Sequence, residues 1–166
     1  MKNYRYLIKK IFKNNKDNIA VKYNNEFFSY ADLEGKVNKL SEFLEDYSIN
    51  RSSVAIFVPK GFNHIVSILG VISSNNVFVP IDYKLPSKRV KTMFKEANIQ
   101  FAIVDNNTKD ILNSVDKNII QINIDTLKIS KKKFNVITRF DKSVSYIFFT
   151  SGSTGKPKAI LGSYTG

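Results

Sequence analysis

Tyr146-Ile147-Phe148-Phe149-Thr150-Ser151-Gly152-Ser153-Thr154-Gly155-Lys156-Pro157-Lys158 joins the most apolar strand candidate of the chain, Val144 to Phe149, to a segment made of hydroxyls, glycines and lysines. The apolar run reads as a buried strand. Behind it, Thr150, Ser151, Ser153 and Thr154 supply hydroxyls, Gly152 and Gly155 permit backbone conformations that other residues avoid, and Lys156 and Lys158 add positive charge. That chemistry suits a loop wrapped around a polyphosphate. Ser, Gly, Thr and Lys are also ordinary turn residues, but their density directly after an apolar strand favours the phosphate reading. The spacing is not that of the common nucleotide loop: two residues, not four, separate Gly152 from Gly155, and Pro157 stands where a Ser or Thr would hold magnesium. The kinase and dinucleotide glycine patterns are absent as well.

Working back along the chain, strand-like and helix-like segments alternate. Ser29 opens a helix by capping, with Asp32 and Glu34 near its positively polarised start, and Leu33, Val37, Leu40, Phe43, Leu44 and Tyr47 form its apolar stripe. Val54 to Val58 reads as a strand closed by Pro59; Phe62, Ile65, Val66, Leu69 and Ile72 as a helix; Val77 to Val79 as a short strand. Pro86 suits the first turn of a further helix carrying Val90, Met93, Phe94 and Ala97. A strand over Phe101 to Asp105, a brief helix around Asp110 to Leu112 and a strand near Ile119 to Ile122 follow. The alternation predicts an α/β fold with a largely parallel sheet flanked by helices, and chemistry in the loops after the strands.

The chain has 166 residues, enough for one domain, and 43% of them are hydrophobic, enough for a core. Cysteine is absent, which excludes disulfides, thiolate nucleophiles and Cys-based zinc sites, and the single histidine, His64, excludes a His-pair metal site. No secretory signal and no run of apolar residues long enough to span a membrane is present, so a cytoplasmic setting without membrane attachment is expected. The net charge of +12 makes a nucleic-acid-binding module the competing class. No helix-turn-helix, zinc knuckle or aromatic RNA-binding motif supports it. Lys131-Lys132-Lys133 has no interleaved aromatics and reads as a solvated loop. His64 reads as a packing or surface residue, and Asp82 as a turn or cap residue rather than a ligand.

The segment Tyr146 to Lys158 closely resembles the signature loop of adenylate-forming enzymes, the superfamily of acyl-CoA synthetases, luciferases and peptide-synthetase adenylation domains. Phe28-Ser29-Tyr30-Ala31-Asp32-Leu33, with Val37-Asn38 and Leu40, is similar to the family's early helix motif. Val77-Phe78-Val79-Pro80-Ile81-Asp82, with Leu85-Pro86 and Arg89, resembles a second motif in the form found in the amino-acid-activating branch. The resemblance runs from about Phe28 to the end of the chain. Departures are Ala159, where Gly usually follows the Pro-Lys pair, and Tyr164, near where a His is usual.

The resemblance implies a two-step activity in the longer enzyme. A carboxylate attacks the α-phosphate of ATP to give an acyl-adenylate and pyrophosphate, and the acyl group passes to a thiol, either carrier-protein phosphopantetheine or CoA. It implies that Thr150, Ser151, Gly152, Ser153, Thr154, Gly155 and Lys158 hold the phosphates of ATP with Mg2+, and that Lys156 matters less. It assigns residues 1–166 to the N-terminal portion of an adenylation domain. The rest of the core, with the substrate and adenine motifs, and the small C-terminal domain with its catalytic lysine would lie beyond. No catalytic residue or protein metal ligand is then expected in this chain, which should be inactive alone and poorly soluble, since strand 144–149 would lack neighbours. The implied partners are ATP, a small carboxylic acid or amino acid, and a carrier protein. A stand-alone carrier-protein ligase, an acyl-CoA ligase fragment and a non-catalytic remnant are the alternatives.

Overall fold

A computed structural model describes residues 4–127, 144–151 and 156–163. The chain begins with helix α1 (Tyr4–Asn14), a hairpin of β1 (Ile19–Tyr23) and β2 (Glu26–Ser29), and helix α2 (Tyr30–Asp46). There follow β3 (Ser53–Ile56), α3 (Phe62–Ser73), β4 (Val77–Pro80), α4 (Ser87–Glu96), β5 (Phe101–Val104), α5 (Lys109–Val115) and β6 (Ile120–Asn123), and finally β7 (Tyr146–Ser151) and β8 (Pro157–Gly162). The main sheet has the order β6-β5-β3-β4-β7-β8. Its first five strands are parallel, and β8 turns back antiparallel on β7.

The pleat divides each apolar run between two cores, which is why the central strands read as continuous rather than alternating hydrophobic segments. Val54, Ile56, Phe101 and Ile103 face α2 and α3 through Leu33, Val37, Leu40, Leu44 and Val66. Their neighbours Ala55, Phe57, Ala102 and Val104 face α4 and α5 through Val90, Met93, Phe94, Leu112 and Val115. The result is a helix–sheet–helix sandwich, the α/β architecture that the alternation predicts. Gly70 lets α3 approach α2 closely: a Cβ there would come within 2.6 Å of Leu40 Cδ2.

Buried polar groups tie the strand starts together. Asn76 accepts from the Ser52 N–H at 3.0 Å and donates to the carbonyl of Ile49 at 2.9 Å, to the Ser74 carbonyl at 3.2 Å and to Ser74 Oγ at 2.9 Å. The left-handed turn at Asn75 (φ 59°) is the geometry an Asn tolerates at the end of a helix.

Four differences from the sequence expectations carry physical reasons. Helix α1 and the β1–β2 hairpin are additions to the elements expected; α1 owes its place to Phe12, which enters the core beneath the basic residues on its outer side. Pro86 stands at the N-cap of α4 instead of inside it, because its extended backbone (φ −54°, ψ 136°) delivers the chain into the first turn. Residues 157–162 form a strand rather than the tail of a loop, paired along the free edge of β7. The buried strand expected from Val144 to Phe149 is displaced along the chain: β7 begins at Tyr146 and includes Thr150 and Ser151, and Phe148, next to that polar end, is 46% exposed. The triple lysine 131–133 lies outside the described residues.

Candidate phosphate-binding site

β7 is held in the sheet by its alternation. Ile147 and Phe149 point to the core beside α4, and Tyr146 and Phe148 to the opposite face, where both rings meet Phe78 of β4. The strand also carries its polar end past the sheet: Thr150 and Ser151 are exposed at its carboxyl terminus.

From there the chain returns as β8, an edge strand among the described residues. An edge position tolerates Pro157, which has no N–H to give to a ladder. The register pairs Thr150 with Lys158 and Ser151 with Pro157. Directly opposed residues share a face, so the exposed side chains of Thr150 and Lys158 leave the hairpin on the same side, with exposed Lys156 just before β8. Gly152, Ser153, Thr154 and Gly155, the remaining candidates, lie outside the described residues. The donor set that is described consists of two hydroxyls and two ammonium groups, with no carboxylate among them. It fits an anion with several oxygens, such as the phosphates of ATP, for which hydroxyls donate and lysines neutralise charge.

The other sequence candidates find different roles. Asp82 Oδ1 accepts from the Lys84 N–H at 3.0 Å, the turn role expected of it. His64 is half-buried, with Nδ1 3.4 Å from the Val58 carbonyl, as a packing residue would be. It also lines a cavity of about 560 Å³ with Lys60, Asp82, Tyr83 and Lys84 at the carboxyl ends of β3 and β4. Sequence reasoning passes over Lys60 and Lys84; they come together because β3 and β4 are adjacent parallel strands whose carboxyl ends open at the same edge of the sheet. Among the described residues no group of three or more His, Asp or Glu converges as a metal site, and no helix is long and apolar enough to cross a membrane.

The family model described as "AMP-binding enzyme" matches residues 8–165 of this chain. Tyrocidine synthase 2 of Brevibacillus parabrevis is 28% identical over 148 residues, an alignment covering 87% of this chain and 4% of that protein. In fold, the N-terminal subdomain of Klebsiella oxytoca NpsA superposes with a TM-score of 0.75 at 20% identity, covering 95% of this chain and 41% of that one. The nonribosomal peptide synthetase FmoA3 in its AMPPNP-bound form superposes at 0.78 with 17% identity, covering 96% of this chain and 17% of its own. The chain thus spans less than half the length of each of these proteins.

Proposed function

Since the chain belongs to the AMP-binding enzyme family, we propose that it forms the phosphate-holding part of an adenylation domain. The longer enzyme would activate a carboxylate, an amino acid on this reading, as an acyl-adenylate and hand it to a carrier-protein thiol. One observation supports the reading: the β7–β8 pairing sets Thr150 opposite Lys158 and Ser151 opposite Pro157. Relatives named as nonribosomal peptide synthetases support an amino acid as the carboxylate, and with it a carrier protein as the acceptor.

ATP, bound with Mg2+, would bring the reactive α-phosphate and the pyrophosphate leaving group. The residues of this chain would orient the leaving group: hydroxyls of Thr150, Ser151, Ser153 and Thr154 donate to phosphate oxygens, Gly152 and Gly155 let backbone N–H groups approach, and Lys158 offsets negative charge as it develops. No proton is moved by these side chains, so their contribution is positioning and electrostatic stabilisation. On this reading the protein works in the cytoplasm, has no sequence-specific affinity for nucleic acid, and uses its remaining lysines as a solvated surface.

The test is a titration of the 166-residue chain with magnesium ATP and with inorganic triphosphate, followed through the amide resonances of Thr150, Ser151 and Lys158. Saturable shifts are expected from both ligands, with the affinity about tenfold weaker in Lys158→Ala, the loss typical of one charge-assisted bond. Shifts absent at millimolar ligand would overturn the reading. ATP–pyrophosphate exchange by these residues alone is expected to be nil with any amino acid, and measurable exchange would refute that part.

A further inference from the structure

We propose that Gly162 is a notch that seats the Tyr146 ring, and that this fit sets the β7–β8 register that places Lys158 opposite Thr150. The proposal rests on the phosphate-loop reading and deepens it by naming two positioning residues. Tyr146 and Gly162 are direct cross-strand partners. A Cβ built on Gly162 would overlap the Tyr146 ring at Cζ and Cε2 and come within 2.5 Å of its hydroxyl oxygen. The phenol therefore lies across the neighbouring strand where a side chain is missing.

Two aromatic rings flank the half-buried phenol on this face. Phe78 lies 5.8 Å and Phe148 5.0 Å from it, centroid to centroid, and Phe78 is also the residue of β4 with which Tyr146 is in register. The Ser145 N–H donates to the Gly162 carbonyl at 2.8 Å, closing the base of the hairpin beside the notch. β8 has no outer neighbour among the described residues to hold its alignment. Side chains alternate with a period of two, so a slip of β8 by one residue would send Lys158 to the face away from Thr150. A bulkier residue at 162 leaves two ways out, a displaced ring or a slipped strand; displacing the ring breaks its contacts with Phe78 and Phe148, and the cross-link distinguishes the two.

The absence of native cysteine allows a direct reading of register. Phe149 and Ala159 are half-buried cross-strand partners on the face away from Tyr146, and a Phe149→Cys/Ala159→Cys pair would oxidise without a competing thiol. The second readout is the dissociation constant for inorganic triphosphate with Mg2+, measured without the cysteines. Adding Gly162→Val is expected to lower the cross-linking rate and raise the dissociation constant by about tenfold each, the scale of an over-packed site. Gly162→Ala, the smaller overlap, should give an intermediate effect and serves if the valine variant does not fold. Adding Tyr146→Ala to either is expected to recover part of both readouts, because the overlap is gone although the ring no longer fixes the register; general destabilisation would give no recovery. Unchanged cross-linking in Gly162→Val, or no rescue by Tyr146→Ala, overturns the proposal. A parent chain that binds no triphosphate overturns the phosphate reading instead, and the cross-link alone then decides the notch.

Discussion

Ser29 and Asp32 satisfy each other across the first turn of α2. The Asp32 N–H donates to Ser29 Oγ at 3.1 Å, while Asp32 Oδ2 accepts from the Ser29 N–H at 2.8 Å and from its hydroxyl at 2.6 Å. This closed capping box starts the helix that covers one face of the sheet. Ser29→Ala is expected to cost about 1 kcal/mol, read as a lower urea midpoint with an unchanged slope.

The same pair has a pH signature. The hydroxyl bond from Ser29, followed by the bond from its backbone N–H, holds the Asp32 carboxyl below its ordinary pKa. A group depressed in the folded state contributes stability that is fully present above its unfolded value and is lost as pH falls through the folded one. The stability gap between the parent and Asp32→Asn should therefore be constant at neutral pH and close only in acid, below the ordinary carboxylate value. A gap that closes near neutrality would contradict this assignment.

Asn76 fills a buried position in which its amide meets four polar groups at the starts of β3 and β4. Asn76→Leu would strand the Ser52 N–H and the Ile49 carbonyl, so a loss of about 3 kcal/mol is expected. Equilibrium denaturation measures it, and a loss below about 1 kcal/mol would show that water replaces the amide.

At Gly70, an added methyl meets Leu40 Cδ2 at 2.6 Å and Cγ at 2.8 Å, in the interior between α2 and α3. Helix propensity favours Ala over Gly by up to about 1 kcal/mol, whereas over-packing costs about 1–3 kcal/mol. Gly70→Ala is therefore expected to lower the melting temperature, and Leu40→Ala in the same chain to relieve part of the added loss. A melting temperature raised by Gly70→Ala alone would mean that Leu40 moves aside freely.

Phe148, Ile160 and Leu161 are 46%, 47% and 51% exposed on the terminal hairpin, and β8 is an open edge among the described residues. Exposed apolar residues on an unpaired edge promote association. Light scattering should show concentration-dependent self-association of the 166-residue chain that falls when Phe148→Ser and Ile160→Thr are introduced together. A monomer at high concentration in the parent chain would speak against it.

The helices α2, α3 and α4 are legible in the sequence because caps and three-to-four spacing are local properties: Ser29, Phe62 and Pro86 stand within one residue of the starts that the chain adopts. The strands β3, β4 and β5 are legible because each is buried on both faces. β8 is not. Pro157 to Gly162 has no alternation of its own, and it becomes a strand because β7 offers a free edge beside it. The hairpin β1–β2 is hidden for a related reason, since its register shifts between Ile19 and Val21 and blurs the alternation.

For the site, the sequence by itself determined which chemical groups are present: Thr150 through Lys158 contain the hydroxyls, glycines and charges that a polyphosphate needs, in an order that carries the family resemblance. It also determined the α/β class, through the spacing of apolar residues. Only the tertiary structure decided that Lys158 belongs to a strand and stands opposite Thr150, and that the Tyr146 ring lies where any side chain at 162 would stand. Composition and spacing act within a few residues of chain, whereas strand pairing joins positions whose proximity depends on which edge is left open when the rest of the sheet has formed.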